Sequence, residues 1–255
     1  MKTENKKTKI VLVTGGSRGI GKSIALNAAE RGIDVILTYN SNADQANAVA
    51  DTIKSNGGKA VTLQLDSSKT ASFSDFAIQV SQVLKEEWNR DNFDYLVNNA
   101  GIAQRTLIQD TTEELFDELV NTNFKGVFFL TQKLIPLMID GGQIINISSG
   151  LARFAFPGVA VYGALKSATE SLTRYFAKEY AGRKIRVNSV APGAIDTEFG
   201  GGKGDDSHRD QIAAMTALGR LGLADDVGAF VASLLSEDSR FVNAQRIEVS
   251  GGIFI

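Results

Sequence analysis

The 255-residue sequence contains no cysteine, which excludes disulfides, thiolate metal sites and a cysteine nucleophile. Its single histidine, His208, excludes a metal site built from several histidines. No apolar run approaches the ~20 residues of a membrane span, and the polar start MKTENKKTK lacks the apolar core of a signal peptide. A net charge of −2 provides no concentrated basic field for nucleic acid. We therefore expect a cytoplasmic protein with no metal, no nucleic-acid partner and no membrane association.

The bulk composition is that of a soluble globular protein. Hydrophobic residues make up 43% of the chain and charged residues 22%, so disordered and fibrous classes are excluded. We find no linker, no shift in composition and no repeat longer than one strand–helix unit. The length suits one large α/β domain, and we expect residues 1–255 to form a single dinucleotide-binding and catalytic domain.

Short β-branched runs alternate along the chain with longer segments of helical period. The runs that predict buried strands are 9–14, 34–39, 60–65, 93–97, 143–147, 185–190 and 245–249. The segments that predict helices lie near 19–31, 43–56, 70–89, 112–138, 160–181 and 225–236. This alternation predicts an α/β, Rossmann-type fold, with a doubly wound parallel sheet of about seven strands and helices on both faces. The glycine-rich and charged stretch Phe199–Asp210 is predicted to be a mobile loop.

A glycine-rich turn, TGGSRGIG at 14–21, joins the first predicted strand to the first predicted helix. Glycines allow backbone N–H groups to approach a pyrophosphate, and the amino end of the helix adds a favourable dipole. The spacing of Gly15, Gly19 and Gly21 differs from the usual G-x-G-x-x-G, so the general dinucleotide motif is matched imperfectly. The context nevertheless favours a dinucleotide site.

The end of the second predicted strand indicates which dinucleotide binds. An NAD site usually carries an acidic residue there, whereas this chain has Tyr39-Asn40-Ser41. A carboxylate would repel a 2′-phosphate, and Arg18 within the glycine-rich turn would attract one. The sequence therefore favours NADP(H) over NAD(H), with a plain exposed arginine as the alternative interpretation of Arg18.

Tyr162 and Lys166 are four residues apart in VYGALK, a stretch with no other charged group. On a helix they lie one turn apart on the same side. A free phenol has a pKa near ~10, and a neighbouring ammonium together with a positively charged nicotinamide would lower it toward neutrality. For the pair alone, the other interpretation is a tyrosine packed in the core and a lysine that reaches water.

Taken together, the motifs resemble those of the short-chain dehydrogenase/reductase family, single-domain type, over nearly the whole chain. The motifs that carry the resemblance are TGGSRGIG at 14–21, NNAG at 98–101, Asn123, ISS at 147–149, YGALK at 162–166, and PG at 192–193 followed by Thr197. The family's glycine motif has the spacing of this chain, which removes the mismatch noted above.

The resemblance implies a catalytic set of Asn123, Ser149, Tyr162 and Lys166. Tyr162 would donate a proton to a carbonyl oxygen, and Ser149 would hydrogen-bond the same oxygen. Lys166 would also hold the nicotinamide ribose, and Asn123 would hold a water behind the lysine. Ser148 would be a non-catalytic neighbour.

The resemblance also implies a cofactor-binding set. Asp66 would hold the adenine, while Asn98 and Gly101 would brace the sheet and the cofactor ribose. The complete set is Gly15, Ser17, Arg18, Gly19, Ile20, Gly21, Tyr39, Asn40, Ser41, Asp66, Ser67, Asn99, Ala100, Gly101, Tyr162, Lys166, Pro192, Gly193, Ile195 and Thr197. The substrate pocket would be formed by Gly150–Gly158 and the Phe199–Asp210 stretch.

The function implied is an NADP(H)-dependent oxidoreductase acting on a carbonyl or secondary alcohol. One alternative is a 3-oxoacyl-[acyl-carrier-protein] reductase, which needs a basic docking surface for its acidic carrier. Arg183 fits such a surface, but the segment 138–142 lacks basic residues. A second alternative is a non-catalytic, NADP-sensing regulator, although such proteins typically lose the tyrosine or the lysine.

The family resemblance further implies a homotetramer, joined through the helices at 112–138 and 160–181 and through the C-terminal strand. The apolar residues that spread around more than one face of the first of these helices are Phe124, Val127, Phe128, Leu130, Leu134 and Leu137. A helix that covers a sheet should show one apolar stripe, so the surplus predicts a partner. The apolar end of the tail Gln245–Ile255 is expected to pack against a neighbouring subunit near its active site.

Overall fold

The computed structural model describes residues 8–199 and 206–255, and of residues 206–208 it describes the backbone alone. In this part of the chain, seven strands form one sheet. They are β1 (Ile10–Val13), β2 (Asp34–Tyr39), β3 (Ala60–Gln64), β4 (Phe93–Asn98), β5 (Met138–Ile147), β6 (Arg186–Pro192) and β7 (Arg246–Val249).

Every neighbouring pair of strands is parallel, and the order across the sheet is β3-β2-β1-β4-β5-β6-β7. The order runs outward in one direction from β1 through β2 to β3, and in the other direction from β4 to β7. The reversal occurs between β1 and β4, where the connections leave to opposite faces and open a crevice at the carboxyl ends of the strands. The predicted doubly wound α/β fold is confirmed.

Helices cover both faces of the sheet. Their bounds are α1 (Gly19–Glu30), α2 (Ala43–Ser55), α3 (Phe73–Trp88), α4 (Glu113–Val120), α5 (Gly126–Leu134), α6 (Ala160–Glu179), α7 (Asp206–Ala214) and α8 (Ala224–Leu234). In β1, Val11 and Val13 pack with α1, α2 and α8, whereas Ile10 and Leu12 pack with α3, α5 and α6. Because both faces are buried, this strand is apolar at every position.

The helix predicted over 112–138 is interrupted. Between α4 and α5 lies one π-helical turn, Asn121–Lys125, and after α5 a 3₁₀ turn, Ile135–Leu137, ends the helix at Pro136. Met138 therefore begins β5, five residues before the predicted strand. Proline removes a backbone donor, so the helix cannot continue through it. A π turn often marks a functional position, and this one contains Asn123.

The prediction of a mobile loop over Phe199–Asp210 is wrong from Asp206 onward, where α7 begins. Residues 200–205 of that stretch lie outside the described residues. Ile212 lies on α7, and Met215 follows three residues later. Both side chains line the cleft described below. These apolar contacts on one face stabilise a helix that is otherwise polar. Among residues 8–199 and 206–255, no helix has the length and apolar character that a bilayer crossing needs.

Candidate active site

A cleft of about 1470 Å³ lies at the carboxyl ends of the strands, over the point where the strand order reverses. Its walls include the segments that follow each of the strands β1 to β7. Every residue of the predicted catalytic and cofactor-binding sets lines this cleft except Tyr39 and Asn123. Tyr39 packs against the hydrophobic core beneath α1 and α2, so its predicted contact with the cofactor is not supported by its position.

The glycine-rich turn is held rigidly against the segment after β4. Thr14 Oγ1 accepts hydrogen bonds from the backbone N–H groups of Asn99 and Ala100, both at 2.9 Å. Asn99 Nδ2 donates to the carbonyls of Thr14 and Gly15 at 2.9 and 3.1 Å. A Cβ at Gly21 would lie 2.2 Å from Gly15 O and 2.4 Å from Asn99 Nδ2. Only glycine fits this position, because the turn and α1 approach each other too closely for a side chain.

The turn has the features of a pyrophosphate cradle. Gly15 and Gly19 have φ of +64° and +54°, the left-handed conformation that glycine adopts most readily. Helix α1 begins at Gly19, so its amino end faces the cleft and favours an anion there. A dinucleotide phosphate fits this arrangement.

Charged side chains line the cleft beside the glycine-rich turn. Arg18 Nη1 lies 3.5 Å from Glu198 Oε2 in an ion pair whose side chains are both mainly exposed. Such a pair contributes about 0–1 kcal/mol, so Arg18 can exchange it for a phosphate at little cost. Asn40 and Ser41 line the cleft at the end of β2, where no carboxylate is present. Lys22 and Lys69 also line it, and no sequence motif pointed to them.

Tyr162 and Lys166 lie one turn apart on α6, and both are buried. Lys166 Nζ is 5.5 Å from the centroid of the Tyr162 ring and donates a 2.8 Å hydrogen bond to Ile147 O at the end of β5. The lysine therefore does not extend to water, and the interpretation of the pair as a tyrosine in the core with a lysine that reaches solvent is wrong.

Burial shifts the pKa of both groups. It raises the pKa of the Tyr162 phenol well above its ordinary value, and a hydrogen bond with Ser149 opposes the shift. It lowers the pKa of Lys166 to about 8. The protein's own groups thus favour a protonated phenol, which is opposite to the lowered pKa predicted from sequence. A lowered pKa of the Tyr162 phenol requires the additional positive charge of an oxidised nicotinamide. For the protein with oxidised cofactor bound, the lowered pKa stays a prediction.

The two adjacent serines point to different surroundings. The Ser149 hydroxyl interacts with Tyr162 and accepts a 3.2 Å hydrogen bond from Leu151 N. The Ser148 hydroxyl donates at 2.6 Å to Oε1 of Glu170, a residue that does not line the cleft. The geometry therefore agrees with the distinction made from sequence, in which Ser149 is the reactive neighbour of Tyr162.

Asn123 is fully buried behind the cleft. Its Nδ2 donates to Ile102 O at 2.9 Å and Leu119 O at 3.0 Å, and its Oδ1 accepts from Ile102 N at 3.2 Å. All its side-chain groups thus brace the π-helical turn and the segment after β4. A Cβ at Gly101 would lie 2.8 Å from Asn123 Oδ1 and 3.7 Å from Lys166 Nζ, so Gly101 stands between the two side chains.

Asn98 braces the sheet as predicted. It is buried at the end of β4, and its Nδ2 donates to Asn146 Oδ1 on β5 at 2.8 Å and to Thr131 Oγ1 on α5 at 3.1 Å. Asn146 continues the chain of hydrogen bonds to Thr173 on α6, at 2.9 Å. This network fixes β4, β5 and α6 relative to one another, and therefore the distance between the glycine-rich turn and Tyr162.

Arg183 is not beside the cleft. Its guanidinium pairs with Asp140 at 2.7 Å and donates to the carbonyls of Ile135 and Met138, at the amino end of β5. The cleft lies at the carboxyl ends of the strands, which is the opposite edge of the sheet. The interpretation of Arg183 as part of a carrier-docking surface next to the pocket is therefore wrong.

The C-terminal tail contributes to the cleft of its own chain. Ile253 is buried, and Ile253 and Phe254 both line the cleft wall. Of the residues predicted from 150–158 to form the pocket, Gly150, Leu151, Phe154 and Phe156 do line it. The tail was expected against a neighbouring subunit, and periodicity could not indicate this contact within the chain because it depends on tertiary structure.

Comparisons with known proteins identify relatives along nearly the whole chain. A family model described as enoyl-(acyl carrier protein) reductase matches residues 15–253. The chain is 38% identical over 250 residues to the 3-oxoacyl-[acyl-carrier-protein] reductase FabG of Staphylococcus epidermidis, covering 97% of this chain and 99% of that protein.

Two solved structures extend the comparison. A short-chain dehydrogenase/reductase from Serratia marcescens is 34% identical, with a TM-score of 0.87 and coverage of 96% of this chain and 97% of that one. Landomycin C-6 ketoreductase LanV, solved with bound NADP and rabelomycin, is 35% identical, with a TM-score of 0.89 and coverage of 97% of both chains.

Proposed function

Since the chain belongs to the short-chain dehydrogenase/reductase family, we propose that Ser149, Tyr162 and Lys166 are the catalytic residues of its cleft, with Asn123 as a positioning residue. The chain is an oxidoreductase that transfers a hydride between NADP(H) and a carbonyl or secondary-alcohol group. The observation that carries the assignment of residues is the buried Tyr162–Lys166 pair with Ser149 on the phenol.

NADPH, when bound, supplies the hydride. Tyr162 holds the proton that the carbonyl oxygen acquires, and the raised pKa of its phenol keeps that proton in place at neutral pH. Ser149 donates a hydrogen bond to the same oxygen and stabilises the negative charge that develops there. Reduction leaves Tyr162 as a phenolate and oxidation starts from one, so in both directions this buried phenolate depends on the positive charge of Lys166 and of the oxidised nicotinamide.

Lys166 has two parts in this proposal. Its ammonium is anchored on Ile147 O and faces the Tyr162 ring, and it would hold the ribose of the bound cofactor by donating to its hydroxyls. Asn123 fixes Ile102 and the π-helical turn behind the lysine. Both Nδ2 hydrogens of Asn123 are donated, whereas Oδ1 accepts one hydrogen bond and keeps a second lone pair that can accept from a water.

The test is Tyr162→Phe, which keeps the ring and removes the proton. We expect turnover of a ketone to fall about 10²–10⁴-fold, the usual contribution of a general acid, while NADPH still binds. Tyr175→Phe is the matched control, because Tyr175 lies on the same helix and is exposed. Near-wild-type turnover in Tyr162→Phe would rule out the assignment.

Reduction of 3-oxoacyl groups on an acyl carrier protein is a second candidate, favoured by the 38% identity to a reductase of that name. Without Arg183 near the pocket, its support from this chain's own charges comes from Arg105, which lines the cleft, and from Arg153, which lies over the Phe154 ring. The test is to supply purified acyl carrier protein carrying a 3-oxoacyl group as the substrate. The rate of NADPH oxidation then shows whether the enzyme reduces this group.

We also propose that the chain forms a homotetramer, that residues 1–255 act as one domain, and that the enzyme works in the cytoplasm, where soluble dinucleotides are available. Val127, Leu130 and Leu134 are core residues rather than surplus surface. Exposed apolar groups nevertheless remain on α4, α5 and α6; they are Phe116, Phe129 and Tyr175. A partner subunit would remove this surface from water.

A further inference from the structure

The substrate end of the cleft is lined by aromatic rings from three separate segments. Phe154 and Phe156 come from the connection between β5 and α6, Phe199 follows β6, and Phe254 belongs to the C-terminal tail. We call these four residues the aromatic subsite. Phe199 also places its ring centroid 5.9 Å from that of Tyr162, which links the subsite to the phenol that reacts.

Phe254 is held in the subsite by a fixed backbone. Its φ is +59°, a left-handed conformation that a bulky residue seldom adopts. The tail runs antiparallel to the segment after α7, with Ala217 N donating to Gly252 O at 3.3 Å and Leu218 N donating to Gly251 O at 3.1 Å. The result is a ring 5.4 Å from the centroid of Phe154, tilted by 49°. Strained residues that the surroundings hold in place are concentrated at ligand sites.

The rings of the aromatic subsite do not bury one another, and they remain accessible to a ligand. Phe156, Phe199 and Phe254 are 36%, 48% and 38% exposed, although they line one cleft. Arg105 lies over the Phe156 ring and Arg153 over the Phe154 ring, each at 5.5 Å from the centroid. The guanidinium groups cover one face of these rings and help to fix their orientation. Accessible aromatic surface within a concave site indicates a ligand.

We propose that the aromatic subsite binds the ring system of a planar aromatic ketone whose carbonyl reaches Tyr162 and Ser149. Aromatic rings stack on one another offset or edge-to-face, with centroids about 4.5–7 Å apart, and a flat ligand can contact several of the four at once. A flexible acyl chain would gain apolar contact but no such geometry. This inference rests on the proposed function, and it specifies the substrate class of the same site.

The test compares 1-tetralone, a ketone fused to an aromatic ring, with cyclohexanone and with an acetoacetyl thioester, by NADPH oxidation. We expect kcat/KM for 1-tetralone to exceed both others at least tenfold. In Phe254→Leu, which keeps apolar bulk, the ratio of kcat/KM for 1-tetralone to that for cyclohexanone should fall about threefold to tenfold. Phe241→Leu is the control, because Phe241 is fully exposed and does not line the cleft.

A binding measurement provides a readout independent of turnover. Calorimetry with 2-naphthol and NADP⁺ should show a Kd at least threefold weaker in Phe254→Leu than in the Phe241→Leu control. A ratio that changes less than twofold, or a thioester preferred over 1-tetralone, would overturn the subsite and leave the reductase assignment intact. Failure to reduce any of the three substrates, with NADPH bound, would instead refute the proposed function and this inference with it.

Discussion

Replacement of Lys166 by methionine should reveal the electrostatic cost of keeping an ammonium inside the fold. Burial lowers the pKa of Lys166 from 10.5 to about 8. The proton therefore binds more weakly in the folded state than in the unfolded state, and at about 1.4 kcal/mol per pH unit this costs about 3 kcal/mol at pH 7. The penalty is fully present below pH 8 and decreases as the pH rises through the interval between 8 and 10.5.

The absolute stability of Lys166→Met also includes the loss of the hydrogen bond to Ile147 O, which costs about 1–3 kcal/mol when the carbonyl is left without a donor. The pH dependence of the stability difference separates the cost of the buried charge from the loss of this hydrogen bond. Between pH 7 and pH 9.5 the penalty in the wild type falls from about 3 to about 1 kcal/mol. We therefore expect the wild type to gain about 2 kcal/mol relative to Lys166→Met over this interval. Tyr162 does not interfere, because its raised pKa costs stability only above pH 10.

The measurement is urea unfolding of both proteins at pH 7 and pH 9.5, at one protein concentration and without cofactor. Lys178→Met is the control, since Lys178 lies on the same helix but is exposed. Its difference from the wild type should not change with pH. Parallel stability curves for the wild type and Lys166→Met would show that the ammonium is hydrated in the fold, and the proposed coupling of Lys166 to Tyr162 in a dry site would then fail.

Three further predictions concern the cofactor and the assembly. Arg18→Ala should weaken the binding of NADPH about 10–100-fold and that of NADH much less, because a charged hydrogen bond to the 2′-phosphate is lost. Equal losses of affinity in titrations with the two cofactors would show that Arg18 does not distinguish them. Gly21→Ala should raise the Kd of NADPH at least tenfold, because its methyl group would meet Gly15 O at 2.2 Å; an unchanged Kd would contradict the rigid turn. Phe129→Glu should dissociate the tetramer in size-exclusion chromatography with light scattering, whereas Phe241→Glu should not; a wild type near the 27.3 kDa monomer mass would refute the assembly itself.

The fold could be predicted from sequence because the buried strands carry an unusual pattern. A strand such as β1 is apolar at every position, which only a sheet covered on both faces requires. The segment predicted as one helix over 112–138 is helical from Glu113 to Leu137, but its interruption was not predicted, because one π-helical turn shifts the register by a single residue and leaves the apolar period almost intact. A pattern averaged over several turns does not detect a change of that size.

The site could be predicted where a motif contains all of its partners. Gly21, Tyr162 and Lys166 all line the cleft, and the sequence could indicate this because each contacts residues within its own motif or one strand away. The pKa of Tyr162 was predicted in the wrong direction for the protein alone, because spacing shows the nearby lysine but not the burial that outweighs it. Arg183 was misplaced although topology could have corrected it. In a parallel sheet, the end of a connecting helix returns to the amino ends of the strands.

The position of β1 at the middle of the sheet has a consequence for biosynthesis. Its second neighbour, β4, lies far along the chain: Ile10 N bonds to Asp94 Oδ2, 84 residues away. At about 5–20 residues per second, a ribosome needs about 4–17 s to make that partner, and the covering helix α8 follows more than a hundred residues later. During this interval the nascent chain presents an apolar strand with one open edge. Chaperones that hold emerging chains should therefore bind this protein while its first third is being synthesised, and slower translation should lengthen that exposure.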